Sequence, residues 1–103
     1  LEANTQMDKE ILQLFNLVFE FVQWNASFIN NNIMFMDSKN LDKSIIYEDN
    51  IDNLRNILLD SSRVRLSDGS DTKVELLFMD LVKHLEHIGD YSLNISQALE
   101  QID

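Results

Sequence analysis

The chain has 103 residues, which suits a single domain and is too short for two separate hydrophobic cores. Apolar residues make up 45% and charged residues 25%, a globular composition that excludes a disordered chain. The formal charge of −10 disfavours nucleic-acid binding, because an acidic surface repels phosphate backbones, and it favours cations or basic partners instead.

The scarcity of turn-forming residues indicates long helices. The sequence has no proline and two glycines, whereas sheets need tight turns that are rich in both. It also has no cysteine, which excludes disulfides and thiolate metal sites. We therefore predict an all-α fold, an antiparallel three-helix bundle in which residues 1–103 form one domain.

The first helix is predicted over residues 5–35. Its apolar residues recur at helical spacing along one broad face: Ile11, Leu14, Phe15, Val18, Phe21, Val22, Phe28 and Ile29. Interspersed polar residues such as Gln13, Asn16 and Glu20 argue against a membrane span, which needs about 20 nearly uninterrupted apolar residues. We interpret the aromatic residues as core packing. A helix this apolar should have neighbours on several sides, which predicts self-association.

The second and third helices are predicted over residues 41–61 and 71–102. The second carries the apolar stripe Tyr47, Ile51, Leu54 and Leu58, and the third carries Val74, Leu77, Leu81, Leu85, Ile88, Ser92, Ile95 and Leu99. Asp37-Ser-Lys-Asn40 is predicted to be a turn, and residues 62–70 are predicted to be a loop. Ser70, Asp71 and Thr72 can each cap the third helix, and Thr72 with Glu75 has the spacing of a capping box.

Two acidic motifs have metal-binding potential: Glu48-Asp-Asn-Ile-Asp52 and Glu86-His-Ile-Gly-Asp90. Carboxylates four apart share a helix face and repel each other unless a cation or base lies between them. Antiparallel neighbours could join both pairs into a four-oxygen pocket for a hard cation, iron or manganese. With 18 acidic residues, about three such pairs arise by chance, so the spacing alone proves nothing.

A helical wheel refines this expectation. Glu86 and Asp90 fall at the border between the apolar and polar faces, which predicts that both are half-buried. His84 and His87 fall elsewhere on the helix and are interpreted as surface residues, although Asp80 and His84 could chelate a metal.

The sequence offers no catalytic set. Cysteine is absent, both histidines share one helix face, and Gly69 stands outside any glycine-rich phosphate loop. A di-metal enzyme on a helical bundle would need Glu-x-x-His pairs, which this sequence lacks. We therefore predict no catalytic residues and no enzyme.

Leu85-Glu-His-Ile-Gly-Asp-Tyr-Ser-Leu-Asn-Ile95 resembles the signature of the PhoU family, and Glu48 with Asp52 matches that family's other acidic element. Arg65-Leu66, Gly69 and Leu77-Phe-Met-Asp-Leu81 resemble the version found at the C-terminus of bacterial sodium–phosphate cotransporters. The resemblance covers residues 41–102. Over the first helix it extends only to length and apolar character.

The resemblance implies a helical bundle that senses or restrains phosphate uptake and binds a divalent or iron-type metal ion. The metal ligands carried over are Glu48, Asp52, Glu86 and Asp90. His87 departs from the family pattern, because it replaces an arginine and removes a permanent positive charge beside the site.

The resemblance also sets the expected context. It implies a cytoplasmic domain of an inner-membrane transporter, partnered by the transmembrane part or by a signalling protein. The alternative is a free-standing phosphate-signalling adaptor in the cytoplasm. A complete family member has two such bundles, so one bundle here implies a homodimer with six helices.

Overall fold

The computed structural model describes residues 2–30 and 36–101, which form three helices in up-down-up order. They are α1 (Glu2–Asn30), α2 (Ser38–Ser67) and α3 (Thr72–Gln101). The described residues contain no strand, which confirms the predicted all-α three-helix bundle. The bundle is a rod of 54 × 19 × 17 Å. Among the described residues, no helix is apolar over a long enough stretch to cross a membrane.

The helix ends differ from the predicted ones. α1 begins at Glu2 rather than at residue 5, and its predicted end at 31–35 lies outside the described residues, as does residue 102. α2 begins at Ser38, because the Asp37 carboxylate caps it by accepting a hydrogen bond of 2.9 Å from the Asn40 N–H. The predicted turn at 37–40 is therefore a cap and a first helical turn.

The predicted loop at 62–70 is mostly helix. α2 continues to Ser67, and Gly69, with a φ of 93°, supplies the left-handed backbone that turns the chain towards α3. Asp71 caps α3, accepting hydrogen bonds from the N–H groups of Lys73 and Val74 at 2.9 and 3.2 Å. The predicted capping box of Thr72 with Glu75 is wrong, because the Glu75 carboxylate turns inward instead.

A buried ion network explains the extra length of α2. Arg65, near the end of α2, donates hydrogen bonds to Glu75 of α3 at 2.9–3.2 Å and also to Glu10 of α1. Ser62 and Ser70 donate to the same Glu75 carboxylate, at 2.7 and 2.6 Å. Although burial opposes ionisation, these donors lower the pKa of Glu75. One arginine thus ties all three helices together.

A second polar contact joins α1 to α3 near the other end of the rod. The Asn25 amide donates to the carbonyl and hydroxyl oxygens of Ser92 at 2.8 and 2.7 Å. Its oxygen accepts from the Ser96 hydroxyl at 2.7 Å. All three side chains are buried and satisfied, so they form one polar layer inside the core.

The hydrophobic core uses a narrower face of α1 and α3 than predicted. Its buried members are Met7, Leu14, Val18, Phe21, Ile51, Leu58, Phe78, Val82 and Leu85. The second-helix stripe is confirmed, with Ile51 and Leu58 buried and Tyr47 and Leu54 packed against them. Several residues predicted for the core faces of α1 and α3 are instead exposed: Phe15, Val22, Ile29, Val74, Leu77, Leu81, Ile88 and Ile95.

Candidate metal centre

The acidic motifs meet beside a close contact between α2 and α3. Gly89 of α3 faces Ile51 of α2, and a Cβ atom on Gly89 would lie 3.1 Å from the Ile51 Cδ1 atom. The absence of a side chain therefore lets Ile51 seat directly against the α3 backbone. Asp52 follows Ile51 in sequence and Asp90 follows Gly89. The contact therefore sets the two aspartates beside each other across the α2–α3 seam, the line along which these two helices pack.

Three of the four predicted ligands form one cluster. Glu48, Asp52 and Asp90 each offer a carboxylate oxygen, these oxygens lie within 4.8 Å of one another, and all three residues are half-buried. Burial raises the pKa of Glu48 to about 7, and hydrogen bonds that its protonated form shares with Asp52 and Asp90 add to the shift. The cluster is thus a place where negative charge is crowded and a cation would be stabilised.

Glu86, the fourth predicted ligand, is held differently. Arg55 of α2 places its Nη1 atom 3.2 Å from Asp52 Oδ1 and 3.3 Å from Glu86 Oε1, so one guanidinium bridges the seam. Glu86 also lies within 4.8 Å of His87 and Asp90 through its ligand atoms. The expected single four-oxygen pocket is therefore two overlapping groups that share Asp90.

Arg55 is the residue that sequence reasoning missed. The signal was present, because Arg55 lies three residues after Asp52 and hence on the same helix face. The position of Arg55 also bears on the positive charge that His87 was expected to remove from the site. The signature that the sequence resembles has an arginine where this chain has His87, and here Arg55 supplies a permanent cation beside Glu86 from the neighbouring helix.

The predicted burial of the polar residues of α3 is confirmed. Glu86 and Asp90 are half-buried, and His84 and His87 are exposed, as the helical wheel predicts. Asp80 and His84 belong to none of the acidic or histidine groups of three or more that could hold a metal among the described residues.

The residues present fit a divalent cation. The cluster of Glu48, Asp52 and Asp90 supplies only oxygen donors, which suit magnesium, manganese or iron. Burial first, and then the neighbouring carboxylates, raise the pKa of Glu48 to about 7, and a metal ion would displace the proton that Glu48 holds below that pH and compensate the repulsion. The second group adds the imidazole of His87, which is exposed and free to reach a metal bound beside Asp90.

The raised pKa of Glu48 predicts an unusual pH dependence of stability. In buffer with chelator, we expect the free energy of unfolding contributed by Glu48 to fall as pH rises from 4.5 to about 7. Stability falls with rising pH because the folded state binds the proton of the Glu48 carboxyl more tightly than the unfolded state does. Glu48→Gln should remove this dependence and stabilise the protein at pH 8 by on the order of 1 kcal/mol.

Urea unfolding followed by circular dichroism at pH 5 and pH 8 measures this effect. Asp49→Asn is the matched control, because Asp49 is the exposed neighbour of Glu48 and should leave the pH dependence unchanged. Equal pH slopes for the wild-type protein and Glu48→Gln would contradict the assignment.

One comparison with known proteins identifies the family of this chain. A family model for the PhoU domain matches residues 27–99, from the last turn of α1 to near the end of α3. No curated protein and no solved structure gives a significant match. The matched region contains both acidic motifs and the Ile51–Gly89 contact between them. Because the match spans most of its length, the chain belongs to the PhoU domain family.

Proposed function

We propose that this PhoU domain regulates phosphate uptake as the cytoplasmic domain of a sodium-dependent phosphate cotransporter, and that it binds a divalent metal ion at the α2–α3 seam. A regulatory role in phosphate homeostasis follows from the family. The metal-binding half depends on one observation, the cluster of Glu48, Asp52 and Asp90 across the seam.

The chain's own residues suggest how binding would act on the fold. Without a cation, the cluster brings three carboxylates of α2 and α3 together, and their repulsion opposes the close Ile51–Gly89 contact. Neutralising that charge would tighten α2 against α3 and stiffen the bundle. A stiffer seam would present a different surface to the transporter, which links the site to regulation.

Metal binding is tested by loading the chain with Mn²⁺, Fe²⁺ or Mg²⁺ and measuring bound metal by elemental analysis and affinity by titration calorimetry. We expect Asp52→Asn and Asp90→Asn each to weaken binding about tenfold or more, because each removes one charged ligand of the cluster. Asp49→Asn is the control and should bind like the wild type. Wild-type protein that retains none of these metals after loading would remove this half of the proposal.

The transport half needs a separate experiment. Phosphate uptake should be measured in cells that express the complete parent gene, with and without Asp52→Asn. We expect altered uptake, because the substitution weakens the seam site without touching the exposed outer surface of the bundle. A parent gene that encodes no apolar spans would overturn the transporter context.

A further inference from the structure

We infer that Arg55 occupies the place of a second metal ion at the α2–α3 seam, so that the seam holds one divalent cation rather than two. The inference rests on the metal binding proposed above and concerns how many ions the site takes. It starts from the Arg55 guanidinium, whose Nη1 atom lies 3.2 Å from Asp52 Oδ1 and 3.3 Å from Glu86 Oε1. Like a bridging metal ion, it compensates the charge of two carboxylates on different helices.

The side chains at the seam form two groups of metal donors. Glu48, Asp52 and Asp90 make the first group. Glu86, His87 and Asp90 make the second, and within each group the ligand atoms lie within 4.8 Å of one another. A carboxylate has two oxygens, so Asp90 could serve both groups at once. The chain therefore carries the donors for two ions.

Arg55 engages one ligand of each group, but it does not affect the two groups equally. Asp52 belongs to the first group and Glu86 to the second, and Arg55 is bound to both. The first group keeps two other carboxylates. The second keeps only the shared Asp90 and an imidazole. The guanidinium therefore competes with a metal ion more effectively at the second group than at the first.

Burial makes the contact of Arg55 with Glu86 stronger than an ordinary surface pair. The Glu86 side chain is 13% exposed and the Arg55 side chain is 29% exposed. Arg63 pairs with Asp60 on the same helix, but those side chains are 63% and 73% exposed. An exposed pair contributes little, whereas a carboxylate shielded from water depends on its cation. Arg55 is therefore a lasting part of the seam, and Arg63 provides a matched comparison.

The charge of the seam also opposes a second ion. Four carboxylates meet there, those of Glu48, Asp52, Glu86 and Asp90. When all four are ionised and one divalent ion is bound, the seam retains one negative charge with Arg55 and would retain two without it. Arg55 thus halves the charge that attracts a second ion. It does so from beside Glu86, where that ion would bind, so the two cations would also repel each other at short range.

The test is the number of Mn²⁺ ions bound per chain, measured by equilibrium dialysis and elemental analysis at saturating Mn²⁺. We expect one ion in the wild-type protein and two in Arg55→Gln, because the substitution frees Glu86 and replaces one good helix former by another. Arg63→Gln is the matched control, since Arg63 also pairs with an aspartate three residues before it, and this variant should bind one ion. Arg55→Lys keeps the positive charge and should bind one ion as well.

Two further measurements locate the second ion. Adding Glu86→Gln to Arg55→Gln should return the count to one, because the second group then loses the carboxylate that it does not share. Electron paramagnetic resonance should show the resolved hyperfine signal of an isolated Mn²⁺ ion in the wild type. In Arg55→Gln the signal should be broadened by coupling, since two ions that share Asp90 lie close together. A role of Arg55 in bracing α2 against α3 alone would change neither result.

The outcomes separate this inference from the proposed metal binding. One ion in both the wild type and Arg55→Gln would overturn the inference and leave the metal binding in place. Two ions in the wild type would do the same, and this count tests the inference even if circular dichroism shows that Arg55→Gln is unfolded. Protein that binds no Mn²⁺ in either form would overturn the metal binding itself, and the inference with it.

Discussion

We expect Arg65→Ala to lower the free energy of unfolding by about 3–5 kcal/mol, the cost of removing one partner from a buried ion pair. Glu75 is fully buried and Glu10 is nearly so, and Arg65 is the cation bound to both carboxylates. Without the guanidinium, two carboxylates would remain in the interior, and the hydroxyls of Ser62 and Ser70 donate to Glu75 alone. Two neutral donors do not compensate a buried charge.

Arg63→Ala is the control for this prediction. Arg63 lies two residues away on the same helix and also pairs with an aspartate, Asp60, but its side chain is 63% exposed, against 17% for Arg65. An exposed pair contributes about 0–1 kcal/mol, so this variant should be close to the wild type. Urea unfolding at pH 7 compares the two variants. Equal losses of stability would mean that burial does not decide the strength of these pairs.

The Arg65 network also shows where sequence reasoning stops. The presence of three helices could be predicted, because a chain without proline and with apolar residues at helical spacing has few alternatives. The residue at which α2 ends could not be predicted in this way. Residues 62–67 are rich in serine and arginine and indicate a loop, and they are helical because Arg65 reaches Glu75 on a different helix. A long-range contact overrides local propensity there.

The candidate metal centre was predictable in part for a similar reason. Spacing places Glu48 with Asp52 and Glu86 with Asp90 on common helix faces, and antiparallel packing of α2 and α3 then brings the pairs together. Residue spacing cannot predict how the side chains pair across the α2–α3 seam. Arg55 occupies the position between Asp52 and Glu86, so Glu86 pairs with a cation of the protein itself.

The face of α1 that enters the core was the hardest feature to predict. Two apolar rows run along this helix at the same alternating spacing: a buried inner row that contains Leu14, Val18 and Phe21, and an exposed outer row that contains Phe15 and Val22. Hydrophobic periodicity is satisfied by either row, so it cannot select between them. The selection must come from residues that are not apolar.

Asn25 is such a residue, and we expect Asn25→Leu to lower the free energy of unfolding by about 2–3 kcal/mol. The substitution keeps the size of the side chain but leaves the buried hydroxyls of Ser92 and Ser96 without their partner on α1. The triple variant that adds Ser92→Ala and Ser96→Ala removes those hydroxyls as well. It should regain most of the lost stability, since replacing every member of a buried polar group is nearly neutral.

The triple variant should nevertheless lose the unique rotation of α1 around residue 25. With the polar layer gone, the outer row of α1 can replace the inner row in the core at this end of the helix, as happens when a buried asparagine is removed from a coiled coil. At the other end, Glu10 stays bound to Arg65. Trp24, the only tryptophan, reports this change because it now packs on Phe21 and Tyr47. We expect its fluorescence to shift to longer wavelength in the triple variant, while the core substitution Leu58→Ala, which leaves Asn25 in place, should lower stability without that shift in the folded state. An unshifted spectrum together with full stability would show that apolar packing alone orients α1.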